Sequence, residues 1–309
     1  MSFLRHHLIN ARRILCGPYR AWQLQRLARQ GEAPVMVPFY HRIADEPSNA
    51  WTLSRHDFVR HITYVREHFE LIGLAEVQQR LEQRRSFRPA VSITFDDGYA
   101  DNSAFALPWL IQQKVPCTYF ISLENVVRGQ PFPHDMAAGH PLMPNTVSQV
   151  REAADAGLEI GLHSRTHIDF SQVTDPAVLE DEIVTATHDL SRLLDRPVRY
   201  FAFPYGLPAQ LTQAAIACVQ RAGLRGFCSA FGGYNLPGRD AFHIRRFHGD
   251  EDFARFRNWL DFDTRKLRHE PRIDYQLPTD LDSPRQPAED APAGLPVTDA
   301  VHSFPKVLV

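Results

Sequence analysis

Between residues 33 and 268, short apolar runs alternate with stretches of helical period, and this alternation restricts the fold more than any other feature of the chain. Runs at 34–41 (PVMVPFYH), 89–95 (PAVSITF), 116–122 (PCTYFIS), 158–163 (LEIGLH), 197–203 (PVRYFAF), 226–231 (GFCSAF) and 242–247 (FHIRRF) have the length and composition of buried strands. Between them, 54–69 places Phe58, Ile62, Val65 and Phe69 on one helical face. Helices are also predicted over 74–85, 101–114, 147–157, 175–194, 208–223 and 251–267, with Pro108 as a kink. About seven strand–helix repeats imply an α/β fold, either an open parallel sheet or a (β/α) barrel.

The bulk numbers fit one large soluble domain over 32–268: the 309 residues are 44% hydrophobic and 23% charged. A formal net charge of -2 gives no general attraction to nucleic acid. Four cysteines without Cys-x-x-Cys spacing read as reduced, mostly buried thiols. No apolar run approaches the ~20 residues of a membrane span. The start, MSFLRHHLIN, lacks the apolar stretch and small-residue cleavage site of a secretory signal. The expectation is a cytoplasmic protein.

Two flanks differ from the middle. Residues 1–31 hold six arginines and no acid, interleaved with Leu4, Leu8, Ile14, Leu15, Trp22, Leu24 and Leu27. Gly17-Pro18 predicts a break into two short helices. A basic amphipathic arm of this kind can lie on an anionic membrane surface at the inner face. A solvated helical extension and a transit peptide share the composition and remain alternatives. Residues 269–309 form a proline-rich segment without helical period, the composition of a flexible tail.

In a barrel, the C-terminal ends of the strands share one rim. Four predicted strands end in polar or conformationally special residues: His41, Asp96-Asp97, His163, and Pro204-Tyr205-Gly206. Adjacent carboxylates at the end of an apolar run repel each other and need compensation. His163 and His167 are four apart, and a helical turn from Ser164 would set both imidazoles on one face. Two histidines and one aspartate make three ligands for a divalent ion with a position left for water. The second aspartate would then be free to act as a base.

The segments TFDDGYADN, HSRTH and FAFPYG, in this order and spacing, resemble the polysaccharide deacetylases of carbohydrate esterase family 4, the NodB-homology domain, over roughly 35–250. The resemblance implies a distorted (β/α) barrel and one divalent metal ion, usually zinc, with nickel, cobalt, iron or manganese as alternatives. It implies hydrolytic removal of an acetyl group from a sugar, in exopolysaccharide or cell-envelope assembly. On matching positions it assigns Asp96 as general base, Asp97, His163 and His167 as metal ligands, and the Tyr205 backbone N–H as an oxyanion donor.

Three departures stand out. Ala202 occupies the position where many members carry an arginine that orients the base, and Arg199 is out of register. The segment 230–238 (AFGGYNLPG) lacks the tryptophan motif, and the late strand lacks the Leu-His that supplies the general acid. His41, His243 and His248 therefore compete for that role. His41 is preferred because the first strand of a barrel can lie beside its last. Two further readings compete: a deformylase or deacetylase of a lipid-linked sugar at the membrane face, and a carbohydrate-binding relative that has lost turnover.

Overall fold

The computed structural model describes residues 3–277, with side chains from Ala11 onward. Eight short parallel strands form the main sheet: β1 (Pro38–Tyr40), β2 (Ile93–Phe95), β3 (Cys117–Ile121), β4 (Glu159–Leu162), β5 (Tyr200–Ala202), β6 (Gly226–Cys228), β7 (His243–Ile244) and β8 (Phe247–His248). Their spatial order is β7-β6-β5-β4-β3-β2-β1-β8. The two edge strands come from one segment, with only Arg245 and Arg246 between them. Ile244 and Phe247 are three residue steps apart, a reach of at most about 11 Å. The edges must therefore approach each other, and the sheet curls into the distorted barrel that the alternation implied.

Side chains alternate across this sheet as strand geometry requires. Phe120, Ala202, Cys228 and Ile244 face the interior with Val35, Val37 and Tyr200. Tyr119, Ile121, Phe201, Phe203 and Phe227 face the other way and pack under the surrounding helices. The strand predicted at 242–247 is thus two strands, because the chain crosses the seam at Arg245 and Arg246.

Several helices differ from the sequence expectation. The predicted 101–114 helix is two, Ala100–Ala104 and Ala106–Gln112, broken at Phe105 with φ -142° and ψ -65°. The break falls at the turn where the Pro108 ring would meet the carbonyl of Ala104. The 251–267 helix divides into Phe253–Leu260 and Thr264–Arg268, each capped by an aspartate, Asp252 and Asp263.

The N-terminal arm is one helix, Phe3–Gln30, with Pro18 inside it, rather than two helices broken at Gly17-Pro18. Pro18 lacks an N–H for the carbonyl of Ile14, but both residues lie on the exposed side, where water can satisfy that acceptor. The opposite side is tied down. Arg12 and Arg20 pair with Asp263 at 2.9 and 3.2 Å, and Arg13 reaches Asp261 at 3.4 Å. Arg20 also donates to Asn258 at 2.8 Å.

Residues 269–277 do not behave as a loose tail. Glu270 accepts from Arg239 at 2.7 Å and pairs with Arg245 at 2.9 Å, and the Tyr275 ring lies 5.7 Å from that of Phe227. Residues 278–309, the rest of the expected tail, lie outside the described residues.

Candidate metal centre

Asp96 and Asp97 leave the end of β2 at a backbone reversal. Asp97 has φ 74° and Gly98 φ 97°, and the Gly98 N–H closes the turn on the Asp96 carbonyl at 3.0 Å. A Cβ at Gly98 would stand 3.2 Å from the side chain of Ile121, so glycine serves both the positive φ and the tight fit. The reversal sends the two carboxylates to different partners.

His163 ends β4, but the chain does not turn helical after it. Ser164 has φ 59° and His167 φ 60°, both left-handed, and the Ser164 hydroxyl accepts from the His167 N–H at 2.9 Å. Buried Glu182 accepts from the Arg165 and Thr166 N–H groups, each at 3.0 Å. This loop, not a helical turn, brings the two imidazoles to 5.1 Å between ring centres. The expected juxtaposition of His163 and His167 is present, and the expected helix is not.

Asp97, His163 and His167 offer one ligand atom each, all within 4.8 Å of one another. Both Nε2 atoms lie 3.3 Å from Asp97 Oδ1, an oxygen that is buried without a hydrogen-bond partner. His163 Nδ1 lies 2.8 Å from the Ala202 carbonyl, which can only accept, so Nδ1 carries a proton and Nε2 is the nitrogen left to present a lone pair toward Asp97. Acceptors facing one another need a shared cation or an extra proton. The donor set fits a divalent ion, with two imidazoles, one carboxylate and a fixed tautomer. Without one, burial would raise the Asp97 carboxyl, but the His163 and His167 contacts outweigh it and hold it well below the usual range. Burial likewise opposes protonation of His167, and Asp97 more than compensates, raising its pKa.

Asp96 has a different partner, and sequence reasoning missed it. Arg246, crossing the seam, bonds both oxygens of Asp96 at 2.7 and 2.8 Å. Its Nε donates to the Ser229 carbonyl at 2.9 Å, and its guanidinium lies 4.7 Å from the Phe39 ring and 5.4 Å from that of Phe120. Burial would raise the Asp96 carboxyl, but Arg246 offsets this and holds it below the ordinary value. The guanidinium absent at Ala202 is thus supplied from the other side of the barrel. The available signal was a pair of arginines inside an apolar strand, IRRF, where a charge needs a buried partner.

His41, after β1, lies beside the last strand: Phe247 and His248 pair in register with Pro38 and Phe39. The His41 and His248 rings are 5.5 Å apart. His41 Nδ1 is buried without a partner. Burial lowers the His41 pKa, while Asp97 and Asp96 pull it up. His243 is excluded from this rim. Its ring stacks on Phe227 at 4.8 Å, on the outer side of the sheet, and its Nε2 contacts Ser229 Oγ at 2.8 Å. Tyr205 has φ 60°, and its half-exposed ring lies 5.3 Å from that of His167. A Cβ at Gly206 would meet the Ala230 nitrogen at 2.7 Å, so the Pro-Tyr-Gly turn admits no side chain there.

Residues 84–227 match the sequence profile of the polysaccharide deacetylase family. The chain is 25% identical over 179 residues to the putative polysaccharide deacetylase YxkH of Bacillus subtilis, across 57% of this chain and 58% of that relative. The matched stretch thus spans less than two thirds of the relative. In fold the chain is similar to IcaB from Ammonifex degensii, with TM-score 0.61 and 24% identity over 74% of this chain and 97% of the other. It is similar to the deacetylase PplD of Streptococcus pyogenes, solved in complex with acetate, with TM-score 0.61 and 16% identity over 74% and 99%. The Asp-Asp turn and the two histidines, on a curled parallel sheet, lie within the residues, 84–227, that match the polysaccharide deacetylase family.

Proposed function

We propose that this protein is a metal-dependent hydrolase that removes the acetyl group from an N-acetylated sugar of a polysaccharide. The observation that carries the reading is the division of labour between neighbouring carboxylates. Asp97 faces two imidazoles in a cation-binding triangle, and Asp96 is held ionised by Arg246. A divalent ion, zinc in the first instance, would be held by Asp97, His163 and His167 and would supply Lewis acidity to a water and to the acyl oxygen. Asp96 would take the proton of the attacking water. Its oxygens are fixed by Arg246, so it needs little reorganisation to do so. The Tyr205 N–H, in its left-handed turn, would donate to the developing oxyanion. His41 would return a proton to the leaving amine.

The test is acetate release from N-acetylated oligosaccharides by protein loaded with zinc, with and without chelator, alongside metal content. Asp97→Asn, His163→Ala and His167→Ala should each lose metal and turnover together. Asp96→Asn should keep metal and lose turnover. Full metal content in His167→Ala would sink the ligand assignment, and metal binding without acetate release would favour a binding protein.

A second reading concerns location: the enzyme works at the anionic cytoplasmic face of a membrane, on a lipid-linked or nascent sugar. It is favoured by the outward face of the helix Phe3–Gln30, where Ile14, Leu15, Tyr19 and Trp22 are all more than half exposed beside Arg26 and Arg29. The inner arginines are already paired with Asp261 and Asp263, which fixes the helix with its apolar side outward. No helix among the described residues is long and apolar enough to cross a membrane. Leu15→Glu with Trp22→Glu should abolish sedimentation with phosphatidylglycerol vesicles. Equal sedimentation of wild type with neutral and anionic vesicles, or none, would remove this reading.

A further inference from the structure

Trp51 is an exposed ring at the edge of the candidate active site, and none of the catalytic roles above uses it. Its centroid lies 5.2 Å from that of His41, yet 46% of the residue remains open to solvent. The loop that carries it is anchored by polar contacts. The Trp51 N–H donates to Asn49 Oδ1 at 3.0 Å, and Thr52 Oγ1 donates to the same oxygen at 2.7 Å. Asn49 Nδ2 reaches buried Asp135 at 3.1 Å, and Asp135 also accepts from the Tyr99 hydroxyl at 2.8 Å. On the other side Arg42, almost fully buried, donates to Thr52 Oγ1 at 3.0 Å and to Asp101 at 2.7 Å. An apolar ring held out into water on so constrained a backbone implies a ligand surface more than a packing defect.

Its position in the sheet adds a direction. Trp51 touches His41 on the β1 side, and Tyr205, 56% exposed, touches His167 on the β5 side. Strands β2 and β4, whose ends lead into Asp96, Asp97 and His163, lie with β3 between those flanks. Two aromatic faces therefore border the reacting centre on opposite sides. A pyranose presents a face of C–H groups that packs on an aromatic ring while its rim hydroxyls stay wet.

We infer that Trp51 is the stacking platform for a second sugar of the substrate chain, adjacent to the one that loses its acetyl group. This rests on the deacetylase reading. Binding energy from the neighbouring sugar then holds the reacting unit in register with Asp96 and His41.

The experiment measures acetate release by the zinc-loaded enzyme from N-acetylglucosamine and its oligomers up to the pentamer. Wild type should show kcat/KM rising with length. Trp51→Ala should cut the pentamer value by about tenfold, chiefly through KM, and the monomer value far less. Trp51→Phe should restore most of the loss, and metal content should stay at wild-type level in both variants. A purely structural role would lower monomer and pentamer together. That result, an unchanged pentamer value in Trp51→Ala, or a wild type indifferent to length would overturn the inference while leaving the deacetylase reading intact. No release by wild type from any length would overturn that reading, and Trp51's role with it.

Discussion

The guanidinium of Arg246 clasps the carboxylate of Asp96 through two bonds of 2.7 and 2.8 Å, across 150 residues of chain. Neither residue has more than a few per cent of its surface exposed. The pair joins the seam of the barrel to the end of β2, so the closed sheet places a cation against the proposed base. A buried carboxylate alone would be driven toward its neutral form. Beside Arg246 it stays charged and ready to accept a proton.

Arg246→Lys keeps a charge but loses the planar two-point grip and the stacking on Phe39 and Phe120. Turnover should fall about tenfold or more with metal content unchanged. The sign of the pH effect follows from the pair. Arg246 holds the Asp96 carboxyl low, so weakening it raises that pKa and moves the acid limb of the pH–rate profile to higher pH. Arg246→Ala should also destabilise the fold by about 3–5 kcal/mol, as expected when a buried charge loses its partner. An acid limb that stays in place in Arg246→Lys would show that the pair is structural only.

His41→Ala should leave metal content unchanged, cut turnover by roughly a hundredfold or more, and remove the alkaline limb of the pH–rate profile. His41 faces both Asp97 and Asp96, whose charges favour its protonated form against burial. His248, partly buried and next to His41, is pushed down to about 4 by desolvation and so is neutral in the working range. His248→Ala should therefore cost less than about tenfold. The reverse ranking of the two variants would place the proton donor at the end of β8.

The parallel α/β alternation was legible because buried strands and amphipathic helices leave different periods, and the rim residues because their strand ends are polar after apolar runs. His163 and His167 could be paired from spacing, yet the helical reason was mistaken: the loop turns through two left-handed residues whose cost is met by Ser164 and Glu182. Arg246 was not assignable to Asp96, because the contact depends on which strands form the seam. That is a long-range property with no local trace beyond an odd charge in IRRF. The arm helix was misjudged at Pro18 because the cost of a proline depends on whether the orphaned carbonyl is wet.

Ending the chain at Lys266 should lower the melting temperature relative to ending it at Leu277. The lost segment carries Glu270, which faces Arg239 and Arg245 at 2.7 and 2.9 Å, and Tyr275, which packs on Phe227 and Phe242. Without Glu270, the largely buried Arg245 keeps a charge that nothing nearby balances as well. Scanning calorimetry of the two truncations decides the point. Equal melting temperatures would mean that residues 267–277 add nothing to the barrel.

His61 gives the fold a dependence on pH that is separate from catalysis. Its ring is fully buried, lies 3.8 Å from Phe256 at 5° between planes, and contacts the Tyr40 hydroxyl through Nδ1 at 3.3 Å. Burial lowers its pKa to about 3, with Asp57 opposing the shift and Arg60 and His248 adding to it. The unfolded chain protonates this histidine near pH ~6.5. The stabilising effect of neutral His61 is therefore complete above that pH and is lost progressively as pH falls toward about 3. One extra proton on the unfolded chain gives a slope of about 1.4 kcal/mol per pH unit in that window. His61→Phe keeps an aromatic ring against Phe256 and removes the titration, at the cost of the Tyr40 contact. Denaturant titrations at pH 7 and 4.5 should show the variant losing roughly 2–3 kcal/mol less than wild type between the two. Parallel losses would mean that His61 is protonated in the folded protein, and that its stack on Phe256 is a cation over a ring.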